Sequence, residues 1–400
     1  MVAVGHRHVR FPAPGPRIGR RATRAILLCL GLAAVAGCGA DRKPPAATAS
    51  AFGPLPWDSD EPSPPAAQAE APAPIQPDPA ERDPLLRVRF FSAGHALSVL
   101  LSTPDGHHVL VDAGRGREQF LGDNLARRRL APWFRQHGIR RLDAWFITHP
   151  HFDHFGDPAT LARAVRVPRV YVNGDGELWL GDLLGREMEG AELTVLARGQ
   201  TLRFGRLRVE VLNPAVDAPA PETVTGLYRH NNRSLVLRAV FGQVSFLLSG
   251  DVMKSGEARL ARAASRPGSA LTLRADVWQL GHHGLGSGSR AFLARVRPRF
   301  AVASCGDKWG GRRDWLPLPL VHRLERHGVE LLRTDRDGDI EFVTDGVSLH
   351  VATHPELVHR PRPRRRGTRT ARWSPTRRGR LTYGIEVPEH ERRDAPASAR

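Results

Sequence analysis

The chain has 400 residues, 41% of them apolar, and a formal net charge of +18. That length exceeds the usual single domain, but the 33 prolines crowd outside the hydrophobically patterned region, which favours one domain with appendages over two domains. Three cysteines exclude a disulfide framework, and an arginine excess gathered at the two ends marks affinity for polyanions in general without naming a partner.

The first segment is an address. Arg17 to Arg24 form a basic flank, Ala25 to Ala36 an apolar stretch, and Val35-Ala36-Gly37-Cys38 a small-residue exit, the pattern of a secretory leader over residues 1–38. The apolar stretch falls short of the roughly 20 residues that a spanning helix needs. The tetrad resembles the lipobox of bacterial lipoproteins, which implies lipidation of Cys38 and a chain anchored to a membrane outside the cytoplasm, in the periplasm or at the cell surface. Residues 39–85, rich in Ala, Pro and acidic side chains, read as an extended tether.

A folded region is expected over 86–354. Leu86 to Phe91 alternates, Ser98 to Ser102 follows, and after the turn Pro104-Asp105-Gly106 comes His108 to Asp112, all strand and hairpin signals. Asn124 to Gln136 reads as a helix, and Ala144 to Thr148 as a buried strand. Further strands are expected at Val167 to Val172, Leu202 to Leu212, Ser234 to Phe241, Val244 to Leu248, Ala275 to Leu280, Phe300 to Ser304, Glu330 to Arg333 and Asp339 to Val343. Helices fit Pro158 to Val165, Ser255 to Ala264, Ser289 to Val296 and Pro319 to His327. Many short strands, few helices and no regular alternation argue for stacked sheets with helices outside. Cys305 reads as a small strand hydrophobe. The tail, 355–400, has ten arginines between Arg360 and Arg380 and too little apolar content to fold alone, so it is expected to be disordered and to offer polyanions a clamp. Outside the leader no apolar run is long enough for a transmembrane channel.

His149, His151, Asp153 and His154 place three imidazoles and a carboxylate within six residues, directly after an apolar strand. At such a junction His149 and His151 converge on one ion while Asp153 and His154 reach a second, and this donor set suits zinc.

The run Thr148 to Gly156 resembles the His-x-His-x-Asp-His signature of the metallo-β-lactamase superfamily. Ser249-Gly250-Asp251 resembles that family's bridging Gly-Asp, and Gly281-His282-His283-Gly284 its later His motif. Within the superfamily the chain is most similar to the soluble hydrolase domain of ComEC-type DNA-uptake proteins. Asn231-Asn232-Arg233-Ser234-Leu235, Leu273 to Val277 and Arg333 to Gly338 carry that similarity. The resemblance implies an α+β four-layer αββα sandwich, two divalent ions (Zn2+, with Mn2+ as the alternative) and hydrolysis of a phosphodiester such as DNA by an activated water. The implied metal ligands are His149, His151, Asp153, His154, Asp251 and one of the pair His282 and His283, with His282 preferred and His230 the weakest candidate; Asp153 also positions the water, and the other histidine of the pair, His283 on that preference, stands near the leaving oxygen. Asn231, Asn232 and Ser234 are implied to touch substrate.

Two segments depart from the pattern. Ser92-Ala93-Gly94-His95-Ala96-Leu97 stands where the subfamily has Asp-Val-Gly-x-Gly-Asp, and Trp315-Leu316-Pro317-Leu318-Pro319 where it has Gly-His-Pro-His. His95, at a strand end, reads as a surface residue, with compensation for the missing carboxylates as the alternative. These losses keep open a second reading, a metal-retaining but catalytically weak module that holds nucleic acid or polyanionic envelope material. Hydrolysis of β-lactams does not follow from fold resemblance.

Overall fold

The computed structural model describes residues 8–10, 85–116, 124–216, 230–306 and 316–359. Cys38, the tether, the remainder of the leader and the Arg-rich stretch beyond residue 359 lie outside them. The strands are β1 (His8–Arg10), β2 (Leu86–Phe90), β3 (Val99–Ser102), β4 (His108–Val111), β5 (Ala144–Phe146), β6 (Arg169–Val172), β7 (Glu192–Val195) and β8 (Thr201–Phe204). They continue as β9 (Leu207–Asn213), β10 (Val236–Phe241), β11 (Val244–Leu248), β12 (Val277–Gln279), β13 (Phe300–Ala303), β14 (Glu330–Arg333), β15 (Asp339–Thr344) and β16 (Leu349–His354). The helices are α1 (Ala131–Gln136), α2 (Phe152–Phe155), α3 (Pro158–Ala164), α4 (Gly174–Glu187), α5 (Lys254–Ser265), α6 (Arg290–Val296), α7 (Leu318–Arg326) and α8 (Thr334–Asp337).

Among the described residues these strands make two sheets, ordered β1-β7-β6-β5-β4-β3-β2-β15-β16 and β14-β13-β12-β11-β10-β9-β8. Period-two alternation gives each strand an inward apolar face. In β2, for example, Leu86, Val88 and Phe90 are buried, while Arg87 and Arg89 pair with Glu341 on β15. The inward faces meet in one core that includes Val88, Phe90, Phe146, Leu237, Phe246 and Phe342. On the outer face of the first sheet, Phe134, Leu161 and Leu184 pack against Leu110, Trp145 and Val170. On the outer face of the second, Leu260, Phe292 and Leu324 accompany Leu247, Trp278 and Ala301. Helix, sheet, sheet and helix therefore stack as the expected αββα sandwich. Full burial of each such large side chain contributes about 1.5–3 kcal/mol, so these three apolar interfaces hold the frame.

Both sheets contain a parallel stretch, β4 to β7 in the first and β11 to β14 in the second. The carboxyl ends of β4, β5, β11 and β12 deliver the motif residues, in keeping with the placement of ligand sites in parallel sheets.

Several elements differ from the sequence expectation. The strand expected over Leu202 to Leu212 is a hairpin, β8 and β9, broken at Gly205, whose φ of +54° suits a turn. Helix α4, with four glycines in fourteen residues, and the neighbouring β7 lack clear patterning; the Asn173 side chain caps α4 by accepting from Gly176 N at 2.7 Å. Strand β16 pairs with β15 beyond the expected last strand. No helix among the described residues is long and apolar enough to cross a membrane.

Candidate metal centre

The centre is assembled where β5 runs out. Asp112, just after β4, accepts from Thr148 N at 2.8 Å, from Thr148 Oγ1 at 2.8 Å and from His154 Nδ1 at 2.7 Å. These three bonds fasten the start and the end of the histidine motif to the neighbouring strand. His151 precedes α2, and α2 carries Asp153 and His154. Across the interface between the sheets, Gly250 lets the end of β11 approach: a Cβ there would lie 2.9 Å from the Cβ atoms of Thr148 and Ser234, and its φ is +52°. Asp251 follows, with its N–H donated to Ser234 Oγ at 3.1 Å.

His282 and His283 follow β12 and both have left-handed backbone, φ 49° and 56°. Such residues carry strain of order 1–3 kcal/mol each and need surroundings that enforce them. The enforcing contact is Gly281, where a Cβ would lie 2.1 Å from the carbonyl oxygen of Val252.

Three groups of potential ligands result among the described residues: His149, His151 and Asp251; His154, Asp251 and His283; and His95, Asp153 and His283. In each group one ligand atom per residue lies within 4.8 Å of the others. His149 Nε2 is 2.9 Å from His151 Nδ1 and 3.6 Å from Asp251 Oδ2. His154 Nε2 and His283 Nε2 lie 3.2 Å and 3.7 Å from Asp251 Oδ1, and His283 Nε2 lies 3.4 Å from Asp153 Oδ2.

The residues fit a cation. His154 Nε2, Asp251 Oδ1 and His283 Nε2 are buried and make no well-formed hydrogen bond. Left so, such an atom costs about 1–3 kcal/mol, a cost that a bound cation removes. The ring tautomers agree. His283 Nδ1 is 2.8 Å from the Ser304 carbonyl, which can only accept, so in the neutral ring the proton sits on Nδ1 and the lone pair on Nε2 faces the centre. Asp112 does the same for His154.

The electrostatics also favour charge separation at this point. Burial strips His149 of its proton, and lowers His151 to about 4. Burial opposes a proton on His154 too, but the carboxylates of Asp251, Asp112 and Asp153 outweigh it and hold that imidazole well above its ordinary value. Burial would raise Asp251 and Asp153, yet the imidazoles of His154 and His283 keep both below the usual carboxylate range. A cation entering this centre meets ionised carboxylates and, at His149 and His151, imidazoles that do not hold a second proton, and it takes the place of the proton that the same carboxylates favour on His154.

Of the expected ligands, His149, His151, Asp153, His154 and Asp251 are brought together. His282 is not among the three groups: its Nδ1 faces the Leu285 carbonyl at 2.9 Å, and His283, expected beside the leaving oxygen, takes the inward place. His230 also stands outside them, its ring 5.7 Å from that of His151 and its Nδ1 held by Asp175 at 2.8 Å. The residues expected to touch substrate hold structure instead. Asn232 Oδ1 accepts from Met253 N and Gly256 N at the start of α5, Ser234 Oγ donates to Asn231 O while accepting from Asp251 N, and Asn231 is buried. His95 is buried, against the expectation of a surface residue. Cys305 is buried as expected, its thiol pushed up by burial and by Asp335.

Sequence reasoning missed Asp112 and Asp175. The signal for Asp112 was an acid closing an apolar strand before Ala113-Gly114. Asp175, fully buried, joins His230 to Arg233, whose Nε donates to it at 2.6 Å, and nothing in the glycine-rich start of α4 announced that pair.

The family model described as the metallo-beta-lactamase superfamily matches residues 92–306. ComE operon protein 3 of Bacillus subtilis (strain 168) is 29% identical over 268 residues, which is 64% of this chain and 32% of that protein. Competence protein ComA of Neisseria gonorrhoeae is 30% identical over 256 residues, again 64% of this chain and 32% of the relative. The chain thus spans about a third of the length of these curated relatives. Among solved structures, the metallo-beta-lactamase fold protein YhfI from Bacillus subtilis is 12% identical, covering 62% of this chain and 96% of that one with a TM-score of 0.41.

Proposed function

The chain belongs to the metallo-beta-lactamase superfamily, and from that premise we propose that it is a ComEC-like hydrolase of phosphodiester bonds that works with two divalent ions, Zn2+ ahead of Mn2+. The observation that carries the reading is the linking of the three ligand groups through the shared residues Asp251 and His283, where three buried ligand atoms make no well-formed hydrogen bond. Similarity to competence proteins and the net charge of +18 favour an anionic substrate, with DNA the first candidate. We place the work outside the cytoplasm, with residues 86–354 as the hydrolase domain, 39–85 as its tether and Cys38 as a lipid anchor.

Divalent ions held in such a centre supply an activated water and neutralise charge that develops on the phosphoryl oxygens. The chain's own contribution is preorganisation. His149 and His151 are kept neutral by burial, while Asp112 and the Ser304 carbonyl fix His154 and His283 with Nε2 inward. Asp153 is the more accessible of the two central carboxylates, with 14% of its side chain exposed against 3% for Asp251. It is therefore the group that an entering water reaches, and it orients that water by accepting a hydrogen bond.

The test is metal content by plasma mass spectrometry and turnover of bis(p-nitrophenyl) phosphate and labelled single-stranded DNA, with His151→Ala and Asp251→Ala alongside. Bound metal with turnover, both lost in the variants, is expected. Bound metal with DNA retained but not cleaved would instead favour the binding-module reading, and no metal under replete conditions would overturn the hydrolase.

A further inference from the structure

We propose that His95 is a metal ligand, completing with Asp153 and His283 the shell around the second ion, an inference that rests on the metal-dependent reading above. The imidazole is 3% exposed, and its ring centroid lies 4.1 Å from that of His283. One of its nitrogens is within 4.8 Å of the ligand atoms of both Asp153 and His283. None of the chain's other imidazoles outside the histidine motifs belongs to such a group among the described residues.

The backbone shows how the side chain comes to be there. His95 sits in a tight turn between β2 and β3, where Ala96 N donates to Gly94 O at 3.0 Å. Leu97 N donates to Asp153 O at 3.2 Å, which ties the turn to α2, the short helix that carries the Asp153 carboxylate. Upstream, Ser92 N donates to Asp339 Oδ1 at 2.8 Å and Arg129 donates to Ser92 O at 3.0 Å. Gly94, with φ of +70°, is packed between Gly306 and the ring of His359. A turn clamped on these sides presents the side chain of residue 95 to the centre with little rotamer freedom left to lose, which is the condition for an effective ligand.

The chemistry follows from the donor. The turn places an imidazole between Ser92 and Leu97, neither of which can bind a cation as a charged group. An additional nitrogen donor shifts preference toward Zn2+ and Co2+ and away from Mn2+, which favours oxygen donors. His95 is thus a determinant of which metal the centre selects as well as of how tightly it is held.

The experiment uses the full-length chain and the variants His95→Ala and His95→Gln. Zinc and manganese affinities are measured by competition with a chromophoric chelator, metal per chain by mass spectrometry, and the visible spectrum of the Co2+-loaded protein reports the donor set directly. The expected result is two zinc-binding steps in the parent, with the weaker step lowered at least about tenfold in both variants, a narrowed zinc-to-manganese preference and altered cobalt bands. Circular dichroism of the metal-free proteins identifies a variant that fails to fold; the Gln variant preserves bulk and polarity should the Ala variant do so. Two ions bound with unchanged affinity and an unchanged cobalt spectrum in a folded variant would overturn the role of His95 and leave the hydrolase reading standing. No metal bound by the parent would overturn both.

Discussion

Replacing Asp112 by Asn leaves the size of a fully buried side chain unchanged and should nevertheless weaken metal binding. The carboxylate accepts from three donors: Thr148 N, Thr148 Oγ1 and His154 Nδ1. An amide cannot satisfy all of them. With its oxygen toward Thr148 N, its NH2 faces the N–H of His154, and the ring must move that proton to Nε2, the atom that lies 3.2 Å from Asp251 Oδ1. A protonated nitrogen cannot bind a cation. With the amide reversed, two N–H groups meet at Thr148, and either orientation costs one buried hydrogen bond, about 1–3 kcal/mol. Outer partners of this kind are worth about 10–100-fold in metal affinity, or roughly 1.4–2.7 kcal/mol. The backbone is not a confounder, because Asn tolerates the left-handed φ of 56° found at this position. Asp112→Ala would be the wrong variant: orphaning three buried donors at about 1–3 kcal/mol each approaches the roughly 5–15 kcal/mol of a whole domain. The assay is zinc competition against a chelator, with the thermal midpoint of the metal-free protein as the check on folding. Unchanged zinc affinity in a folded Asn variant would refute the claim that Asp112 sets the His154 tautomer.

Glu257, buried on α5, accepts from Gly288 N at 2.7 Å and Ser289 N at 2.8 Å and so ties the loop after the paired histidines to that helix. Glu257→Ala should lower stability by roughly 2–6 kcal/mol in urea titrations, two orphaned donors at about 1–3 each. Burial raises this carboxyl although the bonds from Ser289 and Gly288 pull it down, so its stabilising contribution is fully present below the unfolded value and fades as pH rises through the folded one. The deficit should therefore be larger near pH 4 than near pH 7, and the opposite order would contradict the sign. Cys305, whose thiol burial and Asp335 push up, should resist Ellman's reagent in the native protein and react only as fast as the chain unfolds; prompt reaction at about pH 8 would show that it is accessible. Labelled fatty acid should enter the wild-type chain expressed in a bacterium and not Cys38→Ser; equal labelling would sink the proposed anchor.

The densest part of the centre was legible because it is local. His149 to His154 lie within six residues, and the apolar strand before them fixes where they emerge. What failed to read is set by partners far away in the chain. Asp112 bonds to residues 36 and 42 positions later, so its strand was visible and its task was not. His95 has the look of a strand-end surface residue, and its burial comes from a turn held by Asp339, 247 positions from Ser92. Adjacent His282 and His283 are equivalent in sequence, and the choice between them follows from their own left-handed backbone, set where Gly281 packs against Val252. Asn232 and Ser234 misled in the other direction: polar residues beside a motif suggest substrate contacts, yet a helix start needed the Asn232 side chain and the backbone of Asp251 needed the Ser234 hydroxyl.

The departure at the first turn also reads differently once its surroundings are known. Ser92 donates its hydroxyl to Thr334 O and its N–H to Asp339, and Leu97 is fully buried in the core between the sheets, so both positions are committed to holding the turn. The carboxylates left beside the candidate ligands are Asp112, Asp153 and Asp251. On the dinuclear reading, two divalent ions bring four positive charges against those three, and neutral imidazoles leave the balance at one positive charge. Two further acids at positions 92 and 97 would have turned that balance negative. A centre with a single net positive charge, buried where the effective dielectric is low, is the complement of a phosphodiester, which carries a single negative charge. The changes that first suggest a weakened enzyme thus leave a centre whose charge suits the proposed substrate, with His95 supplying a donor between the two positions that lost theirs.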